Sequence, residues 1–321
     1  MGAAHDRKRD ASVDVARGIA MVLVVFGHAL IGVGAVEGEP RFGRFLLVLI
    51  YSSHMPLFFV ISGVLSRESA HLTASELLPR LIRRILWPYI LWGVTILAVH
   101  YSMSGYTNTR VESFRPWSIL WKPPAVMWFL YVLFFAQVFA WIVSRLPYFW
   151  RVAAGLIFLI GPYFMPDAFL NARFIGLFLL ARFLHCELDC RKVQRLWVLA
   201  ALIVFILSGP LIWTRASDPL SGYPAGTLEF IPMLFAGPVL IFALAQRFAV
   251  MSVLETIGRN SMAIFVTHIF FTAGTRMVLT AHGVDSQALL VVTCAAVGVV
   301  GPLALAHAAA AIRISPLLGW A

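Results

Sequence analysis

The chain has 321 residues, 60% of them hydrophobic and only 12% charged. A soluble domain carries about 25% charged residues, so this balance excludes a water-facing globular protein and points to a surface covered by lipid. The net charge of +10 is not the footprint of a nucleic-acid binder, because the basic residues sit at the ends of apolar runs, where positive-inside anchors belong.

A membrane-spanning helix needs about 20 mostly apolar residues. About ten such runs are predicted, near 15–35, 45–65, 82–101, 125–144, 152–166, 169–185, 196–213, 229–249, 258–280 and 288–312. The expected fold class is an all-α integral membrane protein, one transmembrane domain over 1–321, with a short cytoplasmic segment at 1–13. No small-residue cleavage site follows the first run, which is long enough to stay in the bilayer.

The first run, RGIAMVLVVFGHAL (17–30), has an arginine at its edge and a histidine inside it. Eleven residues of helix turn about 1100°, within roughly 20° of three full turns, so Arg17 and His28 share a face and lie roughly 16 Å apart along the axis. Asp14 stands three residues before Arg17, close enough for a same-face pair. Arg17 reads either as a snorkelling anchor or as a ligand for an anion. His28 reads either as a polar helix contact or as a functional group, and ionisable side chains deep in spans favour the second.

The second run, YSSHMPLFFVISG (51–63), places His54 near mid-membrane. Pro56 has no N–H and leaves the carbonyl of Ser52 without its helical partner, a break tolerated where it lines protein or a wet cavity. The third run opens with PRLIRRILWPYILW (79–92), in which Arg80 and Arg83 are three apart and Arg84 is four from Arg80. Guanidinium groups on one face suit a phosphate by paired hydrogen bonds; a topology anchor with lipid head groups is the plainer alternative.

The longest connection, 102–124, is rich in Trp and Pro and reads as an interfacial belt or as a cover over an outer site. In the fifth and sixth runs, GPYFMPD (161–167) fits a tight turn or a break. HCELDC (185–190) holds metal-ligating residue types, but it is a single cluster without paired short cysteine spacings, so no metal is expected; Cys186, Cys190 and Cys294 give no disulfide framework. The ninth run, IGRNSMAIFVTHIF (257–270), puts His268 at mid-span, with Asn260 near its start. Three mid-membrane histidines read as a polar cavity lined by His28, His54, Ser52, Pro56, His268 and Asn260, or as three separate packing contacts. With both termini in the cytoplasm, 17 of the 25 Lys and Arg fall on the inner side and 8 outside, which follows the positive-inside rule.

The stretches DVARGIAMVLVVFGHAL, HMPLFFVISGVL, RLIRRILWPYILWG, MWFLYVLFF and IGRNSMAIFVTHIF occur in one order along the chain. In that order the sequence resembles the membrane-bound acyltransferase-3 family, most closely its fucose 4-O-acetylase-like branch. The resemblance implies about ten spans and transfer of an acyl group, usually acetyl from acetyl-CoA, to a hydroxyl of a surface or secreted glycan. The family's Arg-x10-His pattern falls on Arg17 and His28, and its Arg-x-x-Arg pattern on Arg80 and Arg83. The expected catalytic group is then His28 with Arg17 and Asp14. Arg17, Arg80, Arg83 and Arg84 would hold acyl-CoA. The acceptor is a glycan or lipid-linked sugar, and the location a bacterial inner membrane, with lipids and no nucleic acid as surroundings. A transporter or flippase for a lipid-linked glycan is the alternative, since polar residues and broken helices at mid-membrane also mark transporters.

Overall fold

A computed structural model describes residues 11–37, 41–103, 113–165, 167–184, 193–215, 228–248 and 250–320. The HCELDC cluster and most of segment 1–13 lie outside the described residues. Among the described residues the chain is helical, with no strand. In chain order the α-helices are α1 (Ala11–Glu37), α2 (Arg41–Tyr51), α3 (His54–Leu65), α4 (Ala74–Leu81), α5 (Trp87–Ser102), α6 (Trp128–Val143), α7 (Tyr148–Ile160), α8 (Arg173–Phe183), α9 (Arg195–Arg215), α10 (Ile231–Arg247), α11 (Ser252–Arg259), α12 (Ser261–Ala281) and α13 (Gln287–Ala311).

Seven helical segments among the described residues are long and apolar enough to cross a membrane: Ala11–Ala35, Phe42–Leu65, Ala74–Ser102, Pro116–Val143, Leu228–Arg247, Ser261–Ala281 and Gln287–Ala311. The fifth and sixth expected runs are shorter. α7 has 13 residues and α8 has 11, and at 1.5 Å per residue neither matches a hydrocarbon core of about 30 Å. The 3₁₀ turns Gly161–Phe164 and Asp167–Ala172 extend them toward each other. Every residue of α8 is buried, Arg173 and Arg182 included, so protein surrounds it and its length need not match the bilayer.

α1 is the hub of the bundle. It packs against α3, α10, α11, α12 and α13. The tightest of these approaches depends on two glycines. A Cβ on Gly258 of α11 would stand 1.8 Å from the backbone oxygen of Asp14, and one on Gly18 of α1 would stand 2.0 Å from the backbone oxygen of Leu254. Small residues let backbones close in this way where lipid gives helices no hydrophobic drive to associate. Gly176 of α8 plays the same part against Leu159 of α7, as Gly63 of α3 does against Phe178 of α8.

The chain ends by folding back. Trp87 Nε1 donates to the Leu317 carbonyl at 2.8 Å and Trp92 Nε1 to the Leu318 carbonyl at 3.0 Å. Trp320 stacks on Trp92, ring centroids 5.7 Å apart. Gly319 turns the tail at φ +74°, against Pro88, a left-handed conformation that glycine adopts without penalty. This closure settles a relative placement. α11 lies against the start of α1 and precedes α12, α12 runs beside α13, and the tail after α13 rests on the start of α5. Arg17, Arg259 and the Arg80–Arg84 cluster therefore stand at one end of the bundle.

The segment before α6 is also fastened. The Tyr89 hydroxyl donates to the Ile119 carbonyl, and the Tyr131 hydroxyl donates to that of Leu120 at 3.0 Å. Trp117 and Trp121 remain exposed beside it.

The α1–α11 contact leads to a direct test. Gly258→Ala is expected to lower stability by at least about 3 kcal/mol, the upper part of the range for overpacking, because the obstructing atom is backbone. Gly209→Ala, whose Cβ would meet nothing within 4 Å, should leave stability unchanged. Thermal unfolding of both variants in detergent measures the difference.

Candidate active site

Three elements bring the mid-membrane histidines together: α1 carries His28, the α2–α3 junction carries Tyr51 and His54, and α12 carries His268. The His28 and His268 rings lie 5.2 Å apart, centroid to centroid. Tyr51 stands edge-on to His28 at 6.1 Å and to His54 at 4.7 Å. The ring of Tyr51 rests on Gly27, where an added Cβ would stand 3.2 Å from it. His54 and His268 are buried, while His28 is half-buried.

The backbone fixes two of these rings. His54 Nδ1 lies 2.6 Å from the Ile50 carbonyl, and His268 Nδ1 lies 3.0 Å from that of Ile264 and 2.8 Å from that of Phe265. Carbonyls only accept, so Nδ1 carries the proton in each neutral ring and Nε2 is left as the basic nitrogen. His268 Nε2 is buried with no protein hydrogen-bond partner. A bare acceptor beside His28 is available to a hydroxyl or to an N–H.

The junction that presents His54 is a true break. α2 stops at Tyr51 and α3 starts at His54. The Ser52 hydroxyl bonds the Val48 carbonyl at 2.8 Å and the Ser53 hydroxyl that of Leu49 at 2.7 Å. The carbonyl freed by Pro56 meets α10, where an added Cβ on Gly237 would stand 2.6 Å from the Ser52 oxygen. The interruption is thus packed against protein.

Arg17 and Asp14 form the pair that their spacing suggests, Nη1 to Oδ1 at 3.5 Å. The second carboxylate oxygen lies 3.7 Å from Nε of Arg259, a partner that sequence reasoning missed. Arg259 also pairs with Glu255 one turn back in α11. Asp14 is 1% exposed, so a buried carboxylate holds two arginines at the mouth of the helix that carries His28. Asn260 is placed away from the histidines. It is half-buried two turns before His268, and its Nδ2 bonds the Thr256 carbonyl at 2.9 Å.

Arg80, Arg83 and Arg84 are exposed, and no ion pair holds any of them among the described residues. Their spacing is not that of a plain α-helix. Ile82–Leu86 is wound as a π-helix between α4 and α5, so Arg83 and Arg84 turn less per residue than α geometry assumes. Such wide turns recur at functional sites. The separate groove of about 400 Å³ lined by Phe26, Leu30, Val33, Phe42, Leu46 and Val291 holds none of these residues and is almost wholly apolar. No group of three or more His, Cys, Asp or Glu among the described residues could hold a metal ion.

A cluster of histidines with arginines at one end of the same helix has groups suited to proton transfer and to anion binding. The family profile Acyl_transf_3, described as an acyltransferase domain, matches residues 10–307, and the chain belongs to that family of membrane acyltransferases. It is similar to the "Nodulation protein NolL" of Mesorhizobium japonicum (strain LMG 29417 / CECT 9101 / MAFF 303099), 34% identical over 120 residues. That stretch is 34% of this chain and spans 31% of the relative's length. No solved structure matches the chain.

The Asp14 bridge gives a second test. In a double-mutant cycle of Asp14→Asn and Arg259→Gln, thermal unfolding should return a coupling of about 0.5–1 kcal/mol, reduced by the half-exposed position of Arg259. Additive effects would leave Arg259 outside the bridge.

Proposed function

We propose that this protein is a transmembrane O-acyltransferase of a bacterial inner membrane that moves an acyl group, acetyl in the simplest case, from cytoplasmic acyl-CoA to a hydroxyl of a surface or secreted glycan. The observation that carries the reading is the placement of His28 beside His268 and Tyr51, on the same helix face as Arg17, in a chain of this family. The arginine end of the bundle is then the cytoplasmic end. Both termini are assigned to the cytoplasm in this reading, and the family's fucose 4-O-acetylase-like branch is the preferred assignment.

In this reading Arg17, Arg80, Arg83 and Arg84 hold the phosphates of CoA, and Asp14 keeps Arg17 in position. The pantetheine arm runs along α1 toward His28, roughly 16 Å from Arg17 along the axis. His28 takes the proton of the acceptor hydroxyl as its oxygen attacks the thioester carbonyl. The tetrahedral intermediate collapses with cleavage of the carbon–sulfur bond, and the imidazolium returns the proton to the CoA thiolate. The products are the acyl ester and CoA, with no proton gained or lost. His268 and His54, each with Nδ1 tied to the backbone, supply basic nitrogens that orient the hydroxyl or the His28 ring. Ser52 and Pro56 shape the wall, and Asn260 the lower end.

His28→Ala should lower the rate of acyl transfer by about 10²–10⁴ while CoA binding by calorimetry stays near wild type, as expected for loss of a general base. Near-normal turnover would remove His28 from the chemistry. Arg80→Ala and Arg83→Ala should each weaken CoA binding by about tenfold or more, since a hydrogen bond to a charged group contributes about 1.5–3 kcal/mol. Unchanged affinity in both would reassign these residues to anchoring.

A further inference from the structure

Among the described residues, Arg276 is a buried cation on the histidine-bearing α12 to which the mechanism above gives no part. It lies eight residues beyond His268 on α12, roughly 12 Å farther from the arginine end. It is 8% exposed, so it faces neither lipid nor open water. Its side chain reaches α1 at Gly32, where an added Cβ would stand 3.9 Å from the Arg276 Nε. Gly32 is one turn past His28 on the same face of α1. Helical side chains lean toward their own N-terminus, which here is toward His268 and His28.

The polar neighbours one turn away on α12 are satisfied by backbone: the Thr272 hydroxyl donates to the Ile269 carbonyl and that of Thr280 to the Arg276 carbonyl. The Arg276 guanidinium makes no ion pair with a described acid and donates no hydrogen bond to a described residue. A neighbour on α13 is Cys294, a thiol that supplies no formal charge. An arginine cannot shed its proton to escape burial, and a buried charge calls for an opposite one. The donor's phosphates are poorly placed to be that charge, because Gly32 is roughly 22 Å along α1 from Arg17.

We propose that Arg276 receives an anionic group of the acceptor, so that the sugar presented to His28 from the far side is acidic, bearing a phosphate or a carboxylate near the hydroxyl that is acylated. This rests on the acyltransferase reading and adds the acceptor's chemical class. Phosphate and carboxylate share the paired hydrogen bonding that a guanidinium offers.

The test uses full-length protein in nanodiscs and equilibrium binding of glucose 1-phosphate, glucuronic acid and glucose, with CoA measured in the same preparations. Wild-type protein is expected to bind at least one charged sugar about tenfold or more tightly than glucose, and the tighter of the two identifies the anion. Arg276→Gln should erase that preference and Arg276→Lys should keep part of it, while CoA binding stays unchanged in both. If Arg276→Gln does not fold, Gly32→Leu takes its place, displacing the guanidinium while keeping its charge. No preference in wild type for either charged sugar, or an undiminished preference in the variant, overturns the proposal. Failure of the acyltransferase reading would register separately, as absent CoA binding in wild type or normal turnover in His28→Ala.

Discussion

The contact on which the rest of the bundle depends is the backbone-to-backbone approach of α1 and α11. Gly18 and Gly258 each occupy space that no side chain could share. Their interlock puts Arg259 within reach of Asp14 and sets the entry of α12 beside α1. His268 then arrives next to His28 as a matter of register, two turns along one helix and nearly three along the other. In a bilayer, where association gains nothing from expelling water, such close packing of small residues is what holds helices at a fixed rotation.

The same packing makes the polar interior tolerable. A backbone carbonyl freed in lipid costs several kcal/mol, yet the break at Ser52–Ser53 rests on Gly237 and is bridged by serine hydroxyls. His54 and His268, tied through Nδ1 to their own helices, each keep one nitrogen satisfied, and His268 Nε2 is left without a protein partner. Protein groups thus meet most of the structural demands of this polar interior.

Much of this was legible in the sequence. Apolar length located the helices, and the 100° step of an α-helix put Arg17 and His28 on one face. The pairing of Asp14 with Arg259 was not legible, because 245 residues separate them and only the glycine contact joins them. Tyr51 stood next to His54 in the sequence, but its place against His28 depends on Gly27. Nothing in the sequence singles out Arg276; its burial beside Gly32 is visible in the fold alone. The apolar run of α8 does not report on lipid contact, because protein encloses every one of its residues.

The folded-back tail has a mechanical meaning. The last described residues grip Trp87 and Trp92 at the base of the helix that carries the arginine cluster. They continue from α13, which packs on the histidine-bearing α12. The tail is therefore a tie rod between the basic end of the third span and the histidine-bearing helix. It works beside a direct contact of the two helices, the rings of Trp92 and Phe270 lying 6.4 Å apart, centroid to centroid, so the basic end of the third span and the histidine-bearing helix are coupled twice.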